Sequence, residues 1–264
     1  MAVSWFEEQI AAAVAPLLPG LAVEVVDEID STSSELMRRA RDGRTQPVLL
    51  VANRQTAGRG RMGRPWQSAQ AEQEPASLTF SLGLPLMPRD WSGLSLAVGV
   101  SVAESLDPSN AAHIELKWPN DLWVEERKLG GILIETALPQ DGAAERYLVI
   151  GIGINIGARG GTGMSTAPAW ITQWRPEATA SQLLREIVPP LVSHVLLFGD
   201  RGFVPFAERF AARDLLRGRE VQLSDGTIGL CEGVGWGGEL LVRTASSMKT
   251  ITSAEVSVRP RAAT

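Results

Sequence analysis

The feature that most constrains the fold is a run of strand-like segments between residues 114 and 156. Residues 114–118, 122–125 and 129–136 are separated only by Pro119-Asn120-Asp121 and Glu126-Arg127, and residues 147–156 supply a fourth segment. Pro119 keeps the residue before it extended and Asn120-Asp121 turns the chain, which predicts a hairpin whose second strand begins at Lys128. Upstream, Leu78, Phe80, Leu82 and Leu84 alternate with a period of two, the mark of another strand. Strands are also expected over 21–29 and 48–53, around a helix that opens on a Thr32-to-Glu35 capping box and closes near Gly43. The remaining helices are expected from a Ser4-to-Glu7 capping box to about residue 18, and over 90–106, 181–198 and 203–216. Pro189-Pro190 strains the fourth of these five.

From Gly218 the pattern changes to short β-prone pieces at 220–223, 227–233, 239–244, 249–252 and 255–259, separated by turn signals such as Ser224-Asp225-Gly226 and Gly237-Gly238. This predicts a small SH3-like β-barrel over 218–264, appended to a main domain of helices and strands over 1–217.

Composition narrows the chemistry. One cysteine, Cys231, allows no internal disulfide framework and suits a reducing cytoplasm. Two histidines, His113 and His194, with that single thiol cannot assemble a zinc cluster, and neither histidine lies near a nucleophile-elbow sequence. No apolar run approaches the roughly 18 residues of a spanning helix. The formal charge is −5, from 25 basic and 30 acidic residues, which counts against a generic nucleic-acid coating protein. Only three of the basic residues are lysines, and two of these, Lys117 and Lys128, fall within twelve positions.

Four stretches carry candidate chemistry. In Gly58-Arg59-Gly60-Arg61-Met62-Gly63-Arg64-Pro65-Trp66, glycines alternate with arginines directly after a strand. Such glycines let backbone N–H groups converge on an anion, arginines add forked donors, and Trp66 offers a flat face suited to a purine. A solvated basic loop contacting RNA is the competing reading. Lys117-Trp118-Pro119-Asn120-Asp121 and Lys128-Leu129-Gly130-Gly131 place two ammonium groups near one end of a sheet, with a Gly-Gly pair inside a strand where something passes close. Gly151-Ile152-Gly153-Ile154-Asn155 either lets a ligand lie against a strand, with Asn155 offering donor and acceptor to a base edge, or is a tightly packed central strand. Asp30-Ser31-Thr32-Ser33 caps a helix and offers hydroxyls at its N-terminus.

Together and in this order, these stretches resemble the biotin protein ligases, from about residue 25 through the C-terminal barrel. The resemblance implies an α+β fold: a mixed sheet flanked by helices, of the class II synthetase-like kind, with a small C-terminal SH3-like barrel. It also implies a two-step reaction. Biotin and ATP give biotinyl-5′-AMP, and the biotinyl group then passes to a lysine of a biotin carboxyl carrier protein of acetyl-CoA carboxylase. By resemblance, Lys128, Arg61 and Asp121 are catalytic, with Asp121 orienting the reacting groups or Mg2+. Ser31, Thr32, Ser33, Gln55, Arg59, Gly60, Arg61 and Lys128 bind biotin. Arg59, Arg61, Arg64, Trp66, Lys117, Asn120 and Asn155 bind ATP and the adenylate.

The family carries Asn where this chain has Ser33, and a shorter segment than residues 67–75 after the tryptophan. Some members also repress transcription through an N-terminal helix-turn-helix, and the 29 residues ahead of Asp30-Ser31-Thr32 are too few to hold one, which predicts a monofunctional ligase without a DNA partner. A cytoplasmic enzyme is expected, with a homodimer among its allowed states. The nearest alternative is a lipoate or octanoate ligase of the same fold; the alternative outside enzymes is an RNA-binding module built on the arginine loop.

Overall fold

The computed structural model describes residues 5–68, 76–138, 145–158, 166–252 and 258–260. Helix α1 (Glu7–Val14) precedes the unit β1 (Ala22–Ile29), α2 (Thr32–Arg41), β2 (Val48–Gln55). The helix carries the chain across so that β1 and β2 run parallel, with Ala22 opposite Val48. The two-residue strands β3 (Gly58–Arg59) and β4 (Pro65–Trp66) pair with each other around a 3-10 turn. Then follow β5 (Ser77–Leu86), α3 (Leu94–Leu106), β6 (Glu115–Lys117), β7 (Asp121–Val124), β8 (Arg127–Ala137) and β9 (Arg146–Asn155). A mixed seven-stranded sheet results, in the order β1-β2-β5-β9-β8-β7-β6, antiparallel everywhere except between β1 and β2.

The two faces of the sheet differ because of the alternation in β5. Leu78, Phe80, Leu82 and Leu84 join Leu148, Ile150, Ile152 and Ile154 of β9 in the main core, beneath α3 and α4 (Ala180–Arg201). α3 is apolar on nearly all sides and is correspondingly enclosed. The intervening residues Ser77, Thr79 and Ser81 are also buried, because α2 lies over the opposite face. There Leu36, Met37 and Ala40 pack on Leu50, Tyr147 and Val149 in a second cluster. The period-two pattern thus separates a greasy face from a small, polar, covered one, not from solvent.

Several boundaries depart from the sequence reading. Ser4, the expected cap of α1, lies outside the described residues, and the helix ends at Val14, ahead of Pro16. The cap of α2 is Ser31, whose hydroxyl accepts from the Ser34 N–H at 3.3 Å; Thr32 is the first helical residue, and Glu35 pairs with Arg38 and Arg39 instead of closing a box. α3 begins at Leu94, since Asp90 accepts from the Ser92 N–H and Gly93 takes φ +79°. α4 runs through Pro189 and Pro190, held by a buried stripe that includes Leu183, Leu184, Ile187, Val188, Leu191 and Val192. The helix expected over 203–216 stops early: a 3-10 turn and α5 (Ala207–Ala211) are followed by an extended piece that closes the sheet edge. Leu116 of β6 donates to the Arg213 carbonyl at 2.7 Å and accepts from the Leu215 N–H at 3.1 Å.

The C-terminal region is a five-stranded antiparallel sheet of β10 (Glu220–Leu223), β11 (Ile228–Val234), β12 (Leu240–Arg243), β13 (Met248–Ile251) and β14 (Val258–Pro260), ordered β13-β12-β11-β10-β14. Residues 255–257 of the last expected strand lie outside the described residues. Its inward side chains Val221, Leu223, Cys231, Leu240 and Val242 belong to the same apolar cluster as α3 and α4. Burial pushes the Cys231 thiol up to about 12. Among the described residues no helix is long and apolar enough to cross a membrane.

Candidate active site

A cavity of about 730 Å3 opens on the α2 face of the sheet, and all fourteen residues singled out from the sequence line it. Its first wall is the N-terminal turn of α2. Thr32 Oγ1 meets Ser81 Oγ at 2.7 Å, Ser33 Oγ meets the same oxygen at 2.9 Å, and the Thr32 N–H donates to Gln55 Oε1 at 2.8 Å. A small polar wall is fixed in this way by β5 and β2, and Ser31 keeps its capping role beside it. Ser33 lies close on the sheet: a Cβ on Gly151 would come within 2.3 Å of its Oγ.

The floor is β9 and β8. Gly151 and Gly153 are glycines because side chains, not only ligands, press on the strand: Ser33 covers the first and the indole of Trp66 the second. A Cβ on Gly153 would lie 2.4 Å from a Trp66 ring carbon. Gly130 is closed off by backbone instead, with the Gly153 carbonyl 2.6 Å from where its Cβ would stand. Asn155 is buried under this floor, and its amide donates to the carbonyls of Lys128 (3.2 Å) and Ala169 (3.0 Å). Its donor half is therefore engaged by backbone, a correction to the expectation that it would offer both donor and acceptor to a base.

The roof is the Gly-Arg loop. Met62 (φ +56°) and Gly63 (φ +69°) reverse the chain so that Arg59 and Arg61 reach back over the cavity. Arg59 forms an ion pair with Glu135, and Arg61 donates to Asn120 Oδ1 at 3.1 Å. Burial lowers the Arg61 pKa; the Asp121 charge opposes that shift, and Arg64 adds to it.

The far wall is the β6–β7 turn, with a cis Trp118–Pro119 bond. Asn120 is clamped by two bonds to Ile132 of β8, its Nδ2 donating to the carbonyl at 2.7 Å and its own carbonyl accepting from the Ile132 N–H at 2.9 Å. Asp121 accepts from the Lys128 ammonium at 2.7 Å, and both groups are partly exposed toward the cavity. Lys117 lies 4.3 Å from the centroid of the Trp123 ring. The arrangement gathers the cations Arg59, Arg61, Arg64, Lys117 and Lys128 around one cavity whose opposite wall is neutral and hydrogen-bonding. Such a site can hold a polar neutral group at one end and neutralise anionic oxygens at the other.

Sequence reasoning gave no role to three residues of this machinery. Glu135 was within reach of it, lying on one strand face with Gly131 and Leu133 at two-residue spacing. Trp123 and Trp118 carried no local signal, since their partners, Lys117 on β6 and Gly238 in the β11–β12 turn, lie on other segments.

Comparison with known proteins bears directly on this cavity. The model of the Biotin/lipoate A/B protein ligase family matches residues 26–155, the span that holds most of its walls. The bifunctional ligase/repressor BirA of Escherichia coli is 33% identical over 251 residues, covering 92% of this chain and 75% of that protein. The chain belongs to the biotin/lipoate protein ligase family. A second relative, the biotin–[acetyl-CoA-carboxylase] ligase of Paracoccus denitrificans, is 27% identical, with 86% of this chain and 96% of that one covered. Among solved structures, the biotin protein ligase of Aquifex aeolicus in complex with biotin and ATP superposes with a TM-score of 0.74 at 28% identity, over 90% of this chain and 99% of that one. The mixed sheet with helices of this chain thus matches the biotin protein ligase fold, and the chain's C-terminal antiparallel sheet is consistent with a small SH3-like domain.

Proposed function

We propose that the protein is an ATP-dependent biotin–protein ligase. In the first step a carboxylate oxygen of biotin bonds to the α-phosphorus of ATP and pyrophosphate leaves. In the second, the ε-amine of a carrier lysine bonds to the biotinyl carbonyl carbon, AMP leaves, and the amine gives up a proton. The observation that carries this reading is the pairing of a neutral polar wall with a cationic one across a single cavity.

In this reading Ser31, Thr32, Ser33 and Gln55 take the ureido end of biotin, with Gly60 close above. Lys128 and Arg61 draw the biotin carboxylate and the α-phosphate together against their mutual repulsion, which is both positioning and charge stabilisation. Asp121 holds the Lys128 ammonium on station, and Asn120 does the same for Arg61. Arg59, Arg64 and Lys117 face the remaining phosphates, Trp66 stacks on adenine, and Asn155 shapes the floor beneath it.

Mg2+ enters with ATP as part of the substrate. Among the described residues no three His, Cys, Asp or Glu side chains gather as a metal site, and Asp121 is the carboxylate among the described lining residues. One carboxylate beside substrate phosphates suits magnesium. We take residues 1–217 as the catalytic unit and 218–264 as the appended barrel. The acceptor is the biotin carboxyl carrier protein of acetyl-CoA carboxylase, and the reaction is cytoplasmic; DNA binding is no part of the reading.

The test is ATP–pyrophosphate exchange with biotin, lipoate and octanoate in parallel, followed by transfer to a carrier domain. Exchange with biotin alone and labelling of one carrier lysine are expected. Exchange driven by lipoate or octanoate instead would move the protein to the sister activity.

A further inference from the structure

Trp118 sits in the middle of the cationic wall, yet its polar atom serves another part of the molecule. The side chain is buried, and its indole N–H donates to the Gly238 carbonyl at 3.1 Å, across 120 residues of sequence. Gly238 is at the tip of the β11–β12 hairpin of the C-terminal sheet. That tip is tightly made: Gly235 N–H donates to the Glu239 carbonyl at 2.8 Å, Gly238 N–H to the Gly235 carbonyl at 3.0 Å, and Gly237 N–H to the Glu239 carboxylate at 3.0 Å.

It is also wedged in place. Gly238 has φ +86°, and a Cβ there would come within 2.6 Å of Gly93 Cα at the start of α3. A Cβ on Gly93 would in turn meet the Phe203 ring at 2.7 Å. Backbone thus packs on backbone, and the Gly238 carbonyl is presented to Trp118 from a seat with little room to shift.

Two residues after Trp118, Asn120 receives Arg61; the next, Asp121, receives Lys128. Resting on the ligase reading above, we propose that the hairpin tip at residues 235–239 is a positioning element of the adenylation site, acting through Trp118 on Asn120 and Asp121 and so on Arg61 and Lys128. Trp118 is the positioning residue, and Glu239 shapes the turn that holds it.

The experiment uses the full chain and two variants that approach the contact from opposite sides. Trp118→Phe removes the N–H, while Glu239→Ala loosens the hairpin without touching the catalytic wall. Biotin-dependent pyrophosphate exchange should show kcat reduced roughly tenfold for Trp118→Phe, as misplacement by a fraction of an ångström would give. Glu239→Ala should fall in the same direction but less, the double variant no further than Trp118→Phe, and the dissociation constant for biotin should stay unchanged in all three. Amide hydrogen exchange on the ligand-free variants should rise over residues 117–121 and at Ile132, while α4 keeps its protection. A kcat within twofold of the parent in both variants, each folded by circular dichroism at the assay temperature, would overturn the proposal. Unchanged exchange over 117–121 in both would do so even if the parent showed no biotin-dependent activity, an outcome that by itself would count against the ligase reading.

Discussion

Replacing Gly153 with alanine is the sharpest probe of the nucleotide side of the cavity. The new methyl group would point at the Trp66 indole, 2.4 to 2.9 Å from three of its ring carbons. Carbon atoms settle at about 3.5–4.0 Å, so the ring must retreat by about 1 Å. Trp66 is on the two-residue strand β4 at the end of the roof loop, which can give, so the stability cost should lie near the lower end of the ~1–3 kcal/mol typical of overpacking. The functional cost should be larger, because a 1 Å misplacement can lower rate by about a hundredfold. The expected result is a KM for ATP raised by about ten- to a hundredfold in the exchange assay, with biotin binding by calorimetry unchanged. A second comparison isolates the cause: with the ring gone in Trp66→Ala, adding Gly153→Ala should do little more. If Gly153→Ala leaves the KM for ATP at its original value, or if the two substitutions add fully, the ring does not work from its seat over Gly153.

Lys128→Ala should lower biotin-dependent exchange by about a hundredfold or more, as expected when a charge that stabilises the reacting centre is removed; exchange near the parent rate would remove Lys128 from the chemistry. Arg61→Ala should speed release of biotinyl-5′-AMP by about tenfold, the loss of one charge-assisted contact, and rapid filtration showing unchanged release would count against a retaining role. The helical layer should respond to acid through His194. Arg209 can only donate, so His194 Nε2, 3.1 Å away, accepts, and Nδ1–H is left to donate to Ser101 Oγ at 2.9 Å. Burial first, then the Arg209 charge, lowers the His194 pKa from 6.5, against the opposing pull of Glu104. The unfolded chain therefore takes up this proton before the folded one. The contribution is fully present above pH 6.5 and is lost as pH falls toward the folded value. Urea melts between about pH 7 and about pH 5 should show a decline that His194→Gln lessens; identical slopes would discount the histidine.

Much of the site was legible because its chemistry is concentrated in short contiguous stretches. A Gly-Arg loop after a strand, or two lysines flanking a hairpin, carries its meaning locally, and the sheet then brings the stretches together. What was not legible depends on contacts between distant segments. Gly151 and Gly153 were read as room for a ligand or as close packing, and the structure supplies the packing partners, Ser33 and Trp66. Thr32 looked like the helix cap because Glu35 stands three residues on; the cap is Ser31, since the Thr32 hydroxyl finds Ser81 and Gln55 across the sheet. Pro189-Pro190 was read as a strain on its helix because each proline removes a helical N–H, and the buried stripe of α4 outweighs that local loss. The early end of the last helix had no local sign either, since residues 213–215 are drawn away by the open edge of β6.

The single thiol has a practical consequence for watching the roof move. Cys231 is the chain's sole cysteine, fully enclosed in the C-terminal sheet, with its ionisation suppressed to about 12. A maleimide applied to the native protein at neutral pH should find almost no thiolate to attack. The molecule therefore offers a silent background for fluorophores or spin labels, with no need to remove the native cysteine first. Met62, 61% exposed at the crest of the Gly-Arg loop, is a natural place for the introduced thiol. A dye there would report, turnover by turnover, whether the roof closes on substrate or stands closed beforehand.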